Sequence, residues 1–198
     1  ADQVTVIRNP GSPDMELVIK DGEKIERFKA DGTGSAGDGT SLAGGYTMAA
    51  GKTHGGGILI MSSSPTLTDV KVKDNEVDGF GGGIFAYQYD GLIEDSRLQD
   101  NVAEAENYGG GGMYAYDSDF TMTGTKVDGN EATGSSGDGG GLAVMSSAPT
   151  ITHNEFETND APNSLGDAVR FYEADGLFAN NLVYEHDQYA LVFTNGSD

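Results

Sequence analysis

Gly55-Gly56-Gly57-Ile58-Leu59-Ile60 opens a block that runs through Pro65-Thr66-Leu67-Thr68 to Val72-Lys73-Asp74-Asn75. With Gly57 as zero, hydrophobic residues follow at +1 (Ile58), +3 (Ile60), +10 (Leu67), +13 (Val70) and +15 (Val72), and Asn75 closes the block at +18. The same ruler fits from Gly83, through Ile84, Ala86, Ile93, Ser96 and Leu98 to Asn101. It fits from Gly112 (Met113, Ala115, Met122, Thr125, Val127, Asn130) and from Gly141 (Leu142, Val144, Ile151, Asn154, Phe156, Asn159). A fifth copy starts at Ala168 and puts His186 in the Asn place. Five copies without an internal shift define a repeat protein, and the fold follows from the repeat.

The repeats are 22 to 29 residues long and contain short alternating patterns, with no i, i+3, i+4 apolar stripe long enough for a helix. An all-β parallel solenoid is the solution that remains: each repeat is one coil, and its strands pair with the coils above and below at about 4.8 Å. Like residues then stack in register. The +1 ladder is Ile58, Ile84, Met113, Leu142, Val169, and the +15 ladder is Val72, Leu98, Val127, Phe156, Val183. Burying each large side chain contributes roughly 1.5–3 kcal/mol. Asn75, Asn101, Asn130 and Asn159 are expected to form a third ladder, each amide bonding turn backbone and the next Asn, with Asn itself in the left-handed corner.

All length variation falls in the connectors 76–80, 102–108, 131–138 and 160–166, so one corner of each coil carries the insertions. The chain reads as one domain: irregular N-terminal coils over 1–54, five regular repeats over 55–186, and a sixth copy begun at Ala190-Leu191-Val192-Phe193 within 187–198. In the irregular part, Val4-Thr5-Val6-Ile7 and Glu16-Leu17-Val18-Ile19-Lys20 alternate as strands, and Tyr46 and Met48 suggest a loosely matched turn of the same architecture. A solenoid that stops mid-repeat leaves an open edge, so a longer parent chain and end-to-end self-association are both expectations.

Composition narrows the partners. The 198 residues hold 31 glycines and no cysteine, so there is no disulfide framework and no thiolate metal site. Acids outnumber bases 32 to 11, a formal charge of −21, which disfavours nucleic acid as a partner. Ca²⁺ binding, adaptation to high salt and plain solubility all fit that acidity. No stretch has the roughly 18 apolar residues of a membrane helix.

The alternation of Gly-Gly-Gly-Ile with a hydrophobic-x-x-Asn element, most literally Phe156-Glu157-Thr158-Asn159, resembles the polymorphic outer membrane protein repeat over about residues 40–186. The third Gly stands where that family has Ala, and Val72, Leu98 and Val127 replace its Phe. The resemblance implies a right-handed single-stranded parallel β-helix, here of about six to seven coils, in a secreted or surface-displayed protein of the autotransporter-passenger kind. The same superfold is similar to the pectate-lyase-like enzymes, so fold alone does not decide function.

Four surface features bear on chemistry. Outward positions +2 and +4 carry Phe85, Tyr87, Tyr114, Tyr116, Arg170 and Tyr172, with Tyr89 close by. Such a strip is a candidate platform for sugar rings, or simply a stabilising cross-strand stack. Asp90, Asp119 and Asp175 share +7, with Asp117 two residues before Asp119. Asp90, Asp117 and Asp119 are therefore candidate Ca²⁺ ligands, candidate acid and base of a glycosidase, or solvated turn residues. Lys71, Arg97 and Lys126 stack at +14 beside Asp69, Asp95 and Asp128, where mutual neutralisation is the simplest account. His54, His153 and His186 sit at unrelated places and show no metal-ligand spacing, and no nucleophile elbow, phosphate loop or EF-hand occurs.

The expectation is a non-enzymatic, extracellular or cell-surface module for adhesion or spacing, with a glycan or a neighbouring cell-surface protein as partner and no cofactor other than Ca²⁺. The alternative is a carbohydrate-active β-helix (a binder, a lyase or a glycoside hydrolase) that uses the aromatic and acidic stripe.

Overall fold

The computed structural model describes residues 54–196 continuously, together with the strands Gln3–Val6, Leu17–Lys20, Lys24–Glu26 and Lys29–Asp31. It is an all-β parallel solenoid of about five turns with no helix among the described residues, and part of a further turn lies at each end. Three long sheets run down the axis. The first stacks Ile58–Met61, Ile84–Tyr87, Met113–Tyr116, Leu142–Met145, Val169–Tyr172 and Leu191–Thr194. The second stacks Thr66–Thr68, Leu92–Glu94, Thr121–Thr123, Thr150–Thr152 and Leu177–Ala179. The third stacks Lys71–Lys73, Arg97–Gln99, Lys126–Asp128, Glu155–Glu157 and Leu182–Tyr184. A narrow fourth sheet joins Glu76–Val77, Val102–Ala103 and Glu131–Ala132.

Register is uniform, with Ile58 opposite Ile84, Ile84 opposite Met113, and so on to Val169 opposite Leu191. The apolar ladders at +1, +3, +10 and +15 fill the interior and are almost wholly buried. The N-terminal region departs from the expected like-oriented turns. Gln3–Val6 caps the first sheet antiparallel to Ile58–Met61 and forms a hairpin with Leu17–Lys20. Lys24–Glu26 and Lys29–Asp31 then pair parallel with the second and third sheets. Tyr46 and Met48 lie outside the described residues.

Each coil bends at four corners in the left-handed region. The residues at +5 are Ser62, Gln88, Asp117, Ser146 and Glu173, and those at +12 include Asp69, Asp95 and Asn180. Asp74, Asp100, Gly129, Thr158 and Glu185 stand at +17, and a glycine two residues before the ruler's zero makes the fourth corner. The left-handed residue is thus the one before each ladder Asn and not the Asn, which corrects the expectation. After a corner the next backbone N–H points inward and needs an acceptor, because an unpaired buried donor is costly. After the +5, +12 and +17 corners the neighbouring coil supplies one from a side chain, and after the glycine corner from a backbone carbonyl, as Gly82 N–H donates to the Gly110 oxygen at 3.1 Å. Asn75, Asn101 and Asn130 each donate their backbone N–H to Oδ1 of the next Asn, at 3.2, 3.0 and 3.1 Å. Their Nδ2 groups donate to the same oxygens at 2.8 to 2.9 Å.

Position +13 does the same work. Val70 N–H donates to Ser96 Oγ, Ser96 N–H to Thr125 Oγ1, Thr125 N–H to Asn154 Oδ1, and Asn154 N–H to Asn181 Oδ1. Position +13 was expected to be part of the apolar pattern, but after Val70 it is a second polar ladder. His186 occupies the Asn place with the bond reversed: its Nδ1 lies 3.0 Å from the Asn159 carbonyl oxygen and donates to it. Glycines just before the first sheet serve coil-to-coil approach, since a Cβ at Gly82 would overlap the Gly111 carbonyl oxygen.

On the third sheet the basic stack is neutralised as expected. Arg97 donates Nε and Nη2 to both carboxylate oxygens of Asp128 at 2.8 and 2.6 Å, and Lys126 bridges Glu155 and Glu157. These bonds hold the Glu155 carboxyl below its ordinary range, Lys126 being the main cause. Tyr184 hydrogen-bonds Glu155 at 2.5 Å, and its phenol is pushed up to about 12.

Asn130→Ala removes both acceptor bonds from Asn101 and both amide donors in the middle of the ladder. Urea or thermal unfolding should show a loss of about 2–4 kcal/mol. Thr125→Val, which strands only the Ser96 N–H, should lose about 1–2 kcal/mol.

Candidate functional site

The aromatic strip does not form one surface. Phe85 is fully buried and Tyr114 nearly so, beneath side chains from the connectors. Phe80 stacks on Tyr114 at 4.8 Å, and His54 packs on Phe80 at 5.0 Å and on Phe85 at 5.1 Å. Together with Leu59, Met61, Ala143 and Met145 they make a second apolar layer on the outer face of the first sheet. Phe85 and Tyr114 are therefore packing residues and not a sugar platform.

Tyr89 is also buried, for a different reason. Gln88 at +5 is left-handed, which reverses the in–out alternation, so +6 points inward. The Tyr89 ring stacks on Phe120 at 6.1 Å, and its hydroxyl donates to the Pro65 carbonyl at 3.1 Å. Burial raises its phenol well above the usual tyrosine range. Gly91 makes room for that ring, because a Cβ there would collide with it. Tyr87 and Tyr116 remain half-buried at the edge of the outer layer, stacked at 5.8 Å, while Tyr172 packs against Tyr108 at 5.2 Å.

The acidic candidates all reach the surface, where two of them support the neighbouring coil. Asp90 Oδ1 accepts the Asp119 N–H at 3.2 Å, and Asp119 Oδ1 accepts the Ala148 N–H at 2.7 Å. Asp117 Oδ2 accepts from Gln88 Nε2 at 3.0 Å. A shallow open groove of about 460 Å³ crosses this corner, lined by Asp117, Asp119, Ser146, Ser147, Ala148, Glu173 and Asp175. Its shape follows from the repeat. The fourth coil places Ser146, Ser147 and Ala148 where its neighbours place Asp117 to Asp119 and Glu173 to Asp175, so small residues form a floor between two acidic walls. Asp90 lies outside this groove, and Glu173 and Asp175 are its added members. The Ser-Ser-Ala triplet after Met145 was the signal for it. The walls stand two coils apart, about 9.6 Å at one strand spacing per coil. Among the described residues no three His, Asp or Glu side chains come together in a metal-binding arrangement.

A second acidic pair lies on the connector side. Glu131 and Asp160 face each other across a bridge between adjacent coils. Burial first, and then the neighbouring carboxylates, hold both above the ordinary carboxylate range.

The model of the right-handed β-helix region matches residues 56–198, the whole of the regular solenoid. The chain belongs to that family. No curated protein and no solved structure matches it significantly. The family match covers the three-sheet coil just described and fixes the handedness of the helix. No helix among the described residues is long and apolar enough to cross a membrane.

Two measurements check this electrostatic picture. With 32 acids against 11 bases, Ca²⁺ and Mg²⁺ should raise the melting temperature equally by diffuse screening. A Ca²⁺-specific rise would instead place a cation in the groove. Glu131→Gln should raise the melting temperature at pH 7 by about 2 °C. The sign follows from linkage: a carboxyl raised by folding loses stability as pH climbs from its unfolded value through its folded one. The advantage of the Gln variant should therefore vanish below about pH 4, where both states are protonated.

Proposed function

We propose that this β-helix is a non-enzymatic, secreted or cell-surface module that acts as a rigid spacer or in adhesion. One observation carries the reading: the outward charges that recur from coil to coil engage the neighbouring coil. Asp90 and Asp119 accept its backbone N–H groups, and Arg97 and Lys126 bind its carboxylates. Such features stiffen the rod and do not single out one coil for catalysis. The likeness of its glycine and Asn motifs to the polymorphic outer membrane protein repeat agrees with display at a cell surface.

The acidic groove favours a second reading as a carbohydrate-active surface. The two acidic walls, two coils or about 9.6 Å apart at the backbone across a small-residue floor, are spaced on the scale of the roughly 6.5–9.5 Å carboxyl separation of inverting glycosidases. Incubation of the chain with neutral and acidic polysaccharides separates the two. The module reading expects no release of reducing ends or unsaturated products, and cell-surface binding that Asp119→Asn leaves unchanged. Turnover that disappears in Asp119→Asn or Asp175→Asn, with the melting curve preserved, would replace it.

A further inference from the structure

The outer face of the second sheet is unlike the rest of the charged surface. Its outward positions are +9 and +11. In Thr121-Met122-Thr123 and Thr150-Ile151-Thr152 the middle residue is buried in the core and the threonines are half-buried on the outside. Thr121 stands opposite Thr150 and Thr123 opposite Thr152, and the fifth coil continues the two rows with Leu177 and Ala179. Thr66 and Thr68 hold the same places in the first coil, and Leu92 and Glu94 hold them in the second. From Thr66 onward Glu94 is the one charged residue in these rows. The corresponding rows of the third sheet carry Lys71, Lys73, Arg97, Lys126, Glu155 and Glu157. A chain of net charge −21 thus keeps one flank almost neutral.

The threonines there form a fixed array. The hydroxyls of Thr121, Thr123, Thr150 and Thr152 make no hydrogen bond among the described residues, whereas Thr68 Oγ1 donates to Glu94 Oε1 at 2.8 Å. Each free hydroxyl offers water one donor and two acceptor positions. Branching at Cβ restricts the side chain to few rotamers, so the hydroxyls are held in place before any water arrives. The sheet sets their spacing, about 4.8 Å from coil to coil and about 6.6 Å along a strand. Each strand pairs residue for residue with both neighbours, so no bulge disturbs the rows. Methyl groups fill the surface between the hydroxyls and give water no competing partner. A layer of water on this face is therefore ordered in two directions.

We propose that this face binds ice, the water held on the threonine rows joining the crystal at its surface. Ice presents rows of oxygen atoms on the same scale of spacing, and a rigid two-dimensional array can meet it at many points at once. Ice is also uncharged. The net charge of −21 opposes the approach of a second copy or of an anionic surface, but it does not oppose this contact. The charged third sheet stays hydrated by liquid water, so the rod rests on the ice front by one flank. Rods adsorbed in this way force the front to bulge between them, which lowers the freezing temperature below the melting temperature. The inference goes beyond the module reading and does not rest on it.

The test is nanolitre osmometry of the whole chain beside an equally acidic control protein. The chain should hold an ice crystal at constant size over an interval below its melting point, and the control should not. Thr121→Tyr combined with Thr150→Tyr should close that interval while the unfolding curve of the protein is kept. Thr150→Val, which keeps the shape and removes one hydroxyl, should narrow it. Leu92→Thr combined with Glu94→Thr should widen it, because the array then runs unbroken from the first coil to the fourth. If the tyrosine variant does not fold, the fluorescently labelled native chain decides: it should be taken up into a slowly grown ice hemisphere. No interval in the native chain, its exclusion from growing ice, or an interval that survives the tyrosine variant would overturn the assignment.

Discussion

The structure depends on how a tightly turning backbone satisfies the N–H that follows each left-handed corner. The in-register sheets pair strand residues with one another, but the first residue past a corner has turned its amide into the coil. At three of the four corners the acceptor is a side chain one coil away, and at the glycine corner it is a backbone carbonyl. Ser118 and Ser147 serve Tyr89 and Ser118 at +6, Ser96, Thr125, Asn154 and Asn181 serve the +13 row, and Asn101, Asn130 and Asn159 serve +18. Each acceptor belongs to a residue whose own N–H needs the same service, which is why the ladders propagate. A net hydrogen bond is worth about 1 kcal/mol, but an orphaned buried donor costs about 1–3 kcal/mol, so the ladder is enforced mainly by the penalty for breaking it.

The same constraint explains which residues occupy the corners. Left-handed backbone costs an ordinary residue roughly 1–2 kcal/mol, and Asn, Asp and Gly tolerate it best. At +17 the chain uses Asp74, Asp100 and Gly129, and at +12 it uses Asp69, Asp95, Gly124 and Asn180. Five aspartates, Asp69, Asp74, Asp95, Asp100 and Asp117, are thus placed where the chain must bend. What then keeps so acidic a rod together is local pairing on the third sheet, where Arg97 and Lys126 each hold carboxylates of the following coil.

The ladders were legible in the sequence because the interior obeys one ruler, and Asn75, Asn101, Asn130 and Asn159 mark it without a gap. Tyr89 was not, since a simple period of two runs straight through the corner at Gln88, whereas the real chain resets there. Phe85 and Tyr114 were misplaced for another reason. Their covering partners, His54 and Phe80, stand three residues before the ruler's zero in consecutive coils, outside the block the ruler reads, so the second apolar layer outside the first sheet went unseen. The acidic groove was half legible: Asp117 and Asp119 stood out, but the floor is made by residues notable only for being small.

These three cases separate what a repeat encodes from what it leaves free. Positions on the ruler face their own counterparts above and below, so selection on one coil is selection on its neighbours, and their chemistry tends toward structure. Connector residues pair from coil to coil only in part, as in the narrow fourth sheet. Phe80 and His54 stack on one another over the sheet face, and Tyr108 packs against Tyr172. Arg170 is a ruler position that has escaped its row, and it pairs there with the connector residue Asp138. Asymmetry in this rod therefore lies both where the connectors fold back on the first sheet and where Ser146, Ser147 and Ala148 interrupt the acidic corner.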